Sequence, residues 1–276
     1  EPEVQTYAVK NLKKGIEFLE QQFGVKWDWD AFWKNAEMYN ESSRCMIEKW
    51  DVNCTEHPQV CGAALALQRE YEFMAAACMD KFMLKTDRRV TKMMLKGYEQ
   101  DKAANAPQPK YRCLVWACPA HYYTNFTYWT QHCWGVTCVN DMEAMLSYQP
   151  ITIGDKEQAL ADLVRCYEKM MMRSHTNGGY VNLLDECWKM CEKFHTNIVI
   201  MYDHVSCKNV GGLHGLFEDQ ARERGIHLIW IPHDVMDPRT VSRREMREAF
   251  SQYMVTVLNE KPLDPTLLDY EDTLSW

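Results

Sequence analysis

Cys207 stands in the segment NIVIMYDHVSCKNVGGLHGLFEDQARERG, residues 197–225, between an apolar run and a pair of glycines. The run Ile198–Tyr202 is short and unbroken, the pattern of a buried strand. A helix is predicted from about Gly211–Gly212 to Gly225, where glycine ends it. Ile226–Ile231 reads as the next strand. Strand, loop, helix and strand make half of a doubly wound unit, and such sheets collect ligands beyond the carboxyl ends of their strands. A thiolate at that place is a candidate ligand for an electron-rich iron–sulfur cluster. The plain alternative is an inert thiol packed like a small hydrophobe. Gly211 and Gly212 let a bulky group approach the backbone, and the start of the helix favours negative charge. Lys208 and Asn209 follow the cysteine directly. His204 precedes it, either as a proton donor or, on the favoured plain reading, as a loop histidine hydrogen-bonded to backbone. Cys118 closes another apolar run, CLVWAC, and is the second candidate metal ligand.

Other chemistries are missing from the pattern. No CxxC, GxGxxG, P-loop or HExxH occurs, so the chain is not expected to bind ATP in a standard P-loop. Cys187 and Cys191 are four apart; Cys113 and Cys118, like Cys133 and Cys138, are five apart. Any cysteine-ligated metal must therefore gather ligands from distant parts of the fold. With 276 residues the chain can form two domains with real cores. Its net charge of −8 argues against a nucleic-acid partner. No apolar run approaches the roughly 20 residues of a membrane span. No secretory signal is visible.

Twelve cysteines in a long chain rich in Met, Trp and Tyr suit a reduced cytoplasm better than a disulfide scaffold. Together with seventeen methionines they suggest an organism that tolerates oxidisable side chains, such as an anaerobe. The opening, EPEVQTYAVKNLKKG, lacks an initiator Met and enters helical periodicity at once, so upstream sequence is expected.

The elements that must position these residues fall into three parts. Residues 1–106 read as a helical lobe. Leu12, Ile16, Leu19 and Phe23 step at helical spacing, and Phe32, Ala36, Tyr39 and Ser43 form one face of a second helix capped by Asp28 or Asp30. A long helix is predicted from about Ala63 to Phe82 and another from Thr86 to Glu99. Cys45, Cys54, Cys61 and Cys78 in this lobe read as structural. Pro107 and Pro109 mark a boundary. Residues 107–260 then alternate strands (Cys113–Ala117, Val136–Asn140, Ile198–Tyr202, Ile226–Ile231) with helices (Tyr123–Trp134, Lys156–Arg173, Tyr180–Phe194). Ser242 and Glu245 make a capping box for the last helix. This is an α/β fold: a helical lobe followed by an open parallel sheet of flavodoxin-like or Rossmann-like type. The tail, residues 261–276, is acidic and bears proline, and is expected to become ordered only against other protein.

Three stretches resemble the 2-hydroxyacyl-CoA dehydratase and benzoyl-CoA reductase family: LKKGIEFLEQQFGVKWDWDAFWKNAEMYNE, HVSCKNVGG and IHLIWIPHDVMDPRTVSRREMREAFSQYM. The closing pattern, SCKNVGG…HDVMDPRTVSRREMR…PLDPTLLDYEDTLSW, is most similar to the B-type subunits of ATP-dependent benzoyl-CoA reductases. The resemblance implies a [4Fe–4S] cluster held by three cysteines, two from an N-terminal α/β domain and one from a C-terminal domain of the same type. The last of these maps onto Cys207. No N-terminal α/β domain is visible here, so the other two have no position, and Cys118, in the C-terminal sheet, is not an obvious substitute.

The resemblance further implies a cytoplasmic, oxygen-sensitive enzyme subunit that reductively dearomatises an aromatic acyl-CoA. Its partners would be a homologous cluster-bearing subunit, ATP-hydrolysing activator subunits and ferredoxin, with ATP bound only on the activator. The isolated chain is expected to be inactive. A 2-hydroxyacyl-CoA dehydratase subunit and a non-catalytic partner subunit are the rival readings.

Overall fold

The computed structural model describes residues 2–62, 64–68, 71, 80–144, 149–169 and 179–269. Among the described residues, α1 (Pro2–Phe23), α2 (Trp29–Asn53) and α3 (Lys81–Ala103) come first, with helical residues 64–68 between the last two. The alternating part follows as β1 (Tyr111–Trp116), α4 (Phe126–Trp134), β2 (Val136–Asp141), α5 (Lys156–Glu168), α6 (Gly179–Phe194) and β3 (Ile198–His204). It continues with the single-turn α7 (Lys208–Gly211), α8 (His214–Arg224), β4 (His227–His233) and α9 (Arg243–Thr256). Cys78 and the end of the expected Lys156–Arg173 helix lie outside the described residues. The helix expected over Ala63–Phe82 does not reach Phe82, because the Asp80 side chain accepts the Met83 amide and caps α3. Ser242 and Glu245 form the expected capping box at α9.

The four strands are all parallel, in the order β2-β1-β3-β4. Their side chains explain the sheet's position. β2 is buried throughout, and β1 and β3 are buried over Cys113–Trp116 and Ile198–Tyr202, as a sheet covered on both faces requires. Phe126 and Trp129 of α4 meet Phe250 of α9, and Trp188 of α6 meets Phe217 of α8. Both β1–α4–β2 and β3–α8–β4 connect parallel neighbours, but they run in opposite directions along the sheet. Right-handed crossovers then put α4 and α8 on opposite faces.

The helical lobe shares its core with the sheet: Met46, Trp50, Val52, Leu65 and Met94 join the same apolar cluster. Two polar side chains stitch the parts together. Arg112 donates from Nη1 to Thr55 O, from Nη2 to Asn53 O and from Nε to Phe194 O. Asn53 donates to the carbonyls of Val60 and Val139 and accepts the amides of Gln59 and Val60. Within the lobe, Lys49 of α2 pairs with Asp87 of α3 at 2.8 Å, and Ser42 donates to the same carboxylate. On α1 the expected apolar face is only half used. Leu12 and Ile16 are partly covered, whereas Leu19 and Phe23 are exposed.

The described part of the tail departs from expectation, while residues 270–276 lie outside the described residues. Residues 261–269 pack on their own chain: Leu263 N donates to Cys133 O, and the Trp129 indole donates to Leu267 O. Leu267 and Leu268 adjoin the apolar core. Proline and acidic residues hid this, because three leucines in a polar stretch carry no periodic signal. Deleting Lys261 onward strands a buried indole N–H and uncovers α4. It is expected to cost about 1–3 kcal/mol in urea unfolding. A loss below about 0.5 kcal/mol would show that the contact contributes little.

Candidate functional site

The order β2-β1-β3-β4 has its topological switch between β1 and β3, whose onward connections diverge. The carboxyl ends of these two strands carry Cys118 and Cys207. After β1, Ala117 adopts φ +65°, a left-handed conformation that costs a non-glycine residue about 1 kcal/mol or more. It turns the chain so that Cys118 lies just past the strand. The loop is held at its far end by His121 N, which donates to Val235 O at 3.0 Å.

After β3 the chain turns tightly. His204 Nδ1 accepts the Ser206 amide at 3.0 Å, and Cys207 N donates to His204 O. With Nδ1 an acceptor, the neutral ring carries its proton on Nε2. Cys207 is half-buried at the N-cap position of α7 and makes no side-chain capping bond. Lys208 and Asn209 are exposed.

The helix predicted from Gly211–Gly212 is in fact split: α7 ends at Gly211, and α8 starts at His214 and ends at Gly225 as expected. Gly212 serves that break. A Cβ there would meet Lys208 O at 2.9 Å, so the glycine is required by the chain's own turn. One turn of helix also supplies little of the expected dipole. Asp203 and His214 pair at 3.3 Å beside this loop, and the His214 ring stacks on Trp230.

Three further residues come to this edge without having been singled out. Cys118 Sγ lies 3.7 Å from His121 Nε2, and with a carboxylate oxygen of Glu143, just past β2, their ligand atoms all lie within 4.8 Å of one another. The CxxH spacing of Cys118 and His121 was a usable signal; Glu143 had none. His233, at the end of β4, is fully buried against Tyr202 and His204. Its ring lies beside the backbone of Cys118 and Asp203 without a well-formed hydrogen bond. Burial drives its pKa down to about 4, so it is neutral at pH 7.

A stability prediction follows from His233. On acidification the unfolded chain takes up this proton first, near the ordinary value of 6.5, while the folded chain resists until about pH 4. The stability is therefore intact at neutral pH and is lost as pH falls through that window, by about 3 kcal/mol at most. His233→Leu is expected to flatten this part of the profile in urea unfolding between pH 7 and 4.5. Parallel profiles for the two proteins would contradict it.

Several of the other described thiols are poor ligands, whereas Cys191 is shifted down by its hydrogen bond with Cys187. Burial pushes Cys61 up to about 12, Cys133 up to about 11, and Cys113 and Cys187 well above the usual thiol range. Cys45 and Cys54 are raised for the same reason, as structural cysteines should be. A [4Fe–4S] cluster needs several converging thiolates. The carboxyl edge offers Cys207 as one accessible thiol, and among the described residues no three thiols converge there. Among the described residues the thiols at this edge, Cys118 and Cys207, do not by themselves complete such a ligand set.

The fold is that of an α/β protein with a parallel sheet, and Cys118 and Cys207 lie at its switch point, where such sheets commonly hold ligands. Residues 1–254 match the 2-hydroxyglutaryl-CoA dehydratase, D-component family, and the chain belongs to that family. Proteins of this family bind a [4Fe–4S] cluster and act in a complex with a partner component and an ATP-dependent activator. No curated protein matches the chain. Among the described residues no helix is long and apolar enough to cross a membrane.

Proposed function

We propose that this chain is a cluster-bearing subunit of an oxygen-sensitive acyl-CoA reductase of the benzoyl-CoA type, with Cys207 as its thiolate ligand. The observation that carries the reading is the position of Cys207: accessible, free of a capping role, and at the switch point of a parallel sheet. The cluster, when bound, supplies low-potential electrons one at a time. The chain's own residues hold and enclose. Cys207 anchors. His204 presents Nε2–H, with Nδ1 fixed by the Ser206 amide. Leu65 and Ala66 of the helical lobe line a small pocket together with Pro119, Tyr123 and Tyr202. The homologous subunit, the ATP-hydrolysing activator and ferredoxin complete the working complex.

The family match favours a second reading, in which the same electrons drive loss of water from a 2-hydroxyacyl-CoA. One anaerobic assay separates the two. The complex, with activator, ATP and a low-potential reductant, is offered benzoyl-CoA and, separately, a 2-hydroxyacyl-CoA. Dearomatised thioester from the first substrate is the expected result. Enoyl-CoA from the second, with no reaction of the first, overturns the reductase reading in favour of the dehydratase. The isolated chain is expected to be inactive with both.

A further inference from the structure

We propose that Cys118, His121 and Glu143 form a mononuclear site for a divalent transition ion of borderline softness, zinc or iron(II), distinct from the thiolate at Cys207. Zinc bonds of about 2.3 Å to sulfur and about 2.0–2.1 Å to nitrogen, at a tetrahedral angle, place the two ligand atoms roughly 3.6 Å apart. Cys118 Sγ and His121 Nε2 are separated by 3.7 Å. The Glu143 carboxylate lies within 4.8 Å of both. Cys118 and His121 are thus spaced as ligands of one ion, and the Glu143 carboxylate is near enough to join them by a small side-chain movement.

The donor types narrow the ion. One thiolate, one imidazole and one carboxylate suit a borderline ion. Magnesium and calcium want oxygen only, and a cubane wants several thiolates. Three protein ligands leave a fourth position for water or for a carbonyl or carboxylate oxygen of a small ligand, the arrangement of open rather than purely structural sites.

The supporting backbone is fixed at each ligand. Cys118 follows the left-handed Ala117; His121 N is bonded to Val235 O; Glu143 N donates to Asp141 Oδ1 at 2.8 Å. The ligands leave two neighbouring strands, β1 and β2, so the sheet itself sets their spacing. Cys207 belongs to the loop after β3 and is not among the converging atoms. The inference does not rest on the cluster reading.

The test is a cobalt(II) titration of the full chain, chelator-treated and held reduced under argon. The expected result is one tightly bound cobalt with tetrahedral ligand-field bands and a thiolate-to-cobalt charge-transfer band. Cys118→Ser should lose the charge-transfer band. His121→Ala and Glu143→Gln should each weaken binding by roughly tenfold or more. Cys207→Ser should leave spectrum and affinity unchanged. Circular dichroism of each variant keeps the comparison to folded protein. No bound cobalt on a folded chain, a charge-transfer band that survives Cys118→Ser, or one that disappears in Cys207→Ser overturns the assignment.

Discussion

Cys207→Ser in the assembled complex is expected to bring acyl-CoA reduction to background and to release cluster iron, while the subunits still assemble. A serine hydroxyl is a hard, neutral ligand at working pH and does not replace a thiolate on a soft cluster. The fold has little stake in the residue. Cys207 is half-buried and caps nothing with its side chain, and serine fits in the same space. The cost in stability should stay below about 1 kcal/mol. Cys113→Ser makes the informative control. That thiol is wholly buried in β1 and donates to Leu114 O, so the change should lower stability without removing iron. Full activity and full iron in the Cys207 variant would show that the ligand lies elsewhere.

Asp87→Ala is expected to be the most destabilising change in the helical lobe, by about 3–5 kcal/mol. The ammonium of Lys49 is 2% exposed, and its carboxylate partner is fully buried. Removing the carboxylate leaves a buried cation without its counter-charge and takes away the acceptor of Ser42. The combined change Lys49→Met with Asp87→Leu removes both charges and should recover most of the loss, since buried pairs seldom outperform apolar packing. Urea unfolding of the three proteins decides it. A single variant within about 1 kcal/mol of the parent would mean that water reaches the pair.

The sheet was legible chiefly because β1 and β3 are short, continuous apolar runs, ending at Cys118 and at Tyr202. The capping box at Ser242 and the glycine stop at Gly225 were equally local and equally clear. Boundaries set by tertiary contacts were not. The α7–α8 break depends on a close approach of Gly212 to Lys208 O, and a pair of glycines in sequence says nothing of that. The tail's docking depends on two hydrogen bonds to α4. At the candidate site, Cys118 and Cys207 could be read as strand-end residues. Glu143 and His233 could not, because only the sheet order brings the ends of β2 and β4 to the same edge.

The most direct test of the central claim is iron Mössbauer spectroscopy, with acid-labile sulfide analysis, on the anaerobically isolated complex containing this subunit. The account predicts a cubane signature of about four irons and four sulfides assignable to the subunit and absent from the Cys207→Ser complex. A fully active complex without iron in this subunit, or an undiminished cubane signal in the variant, would contradict it.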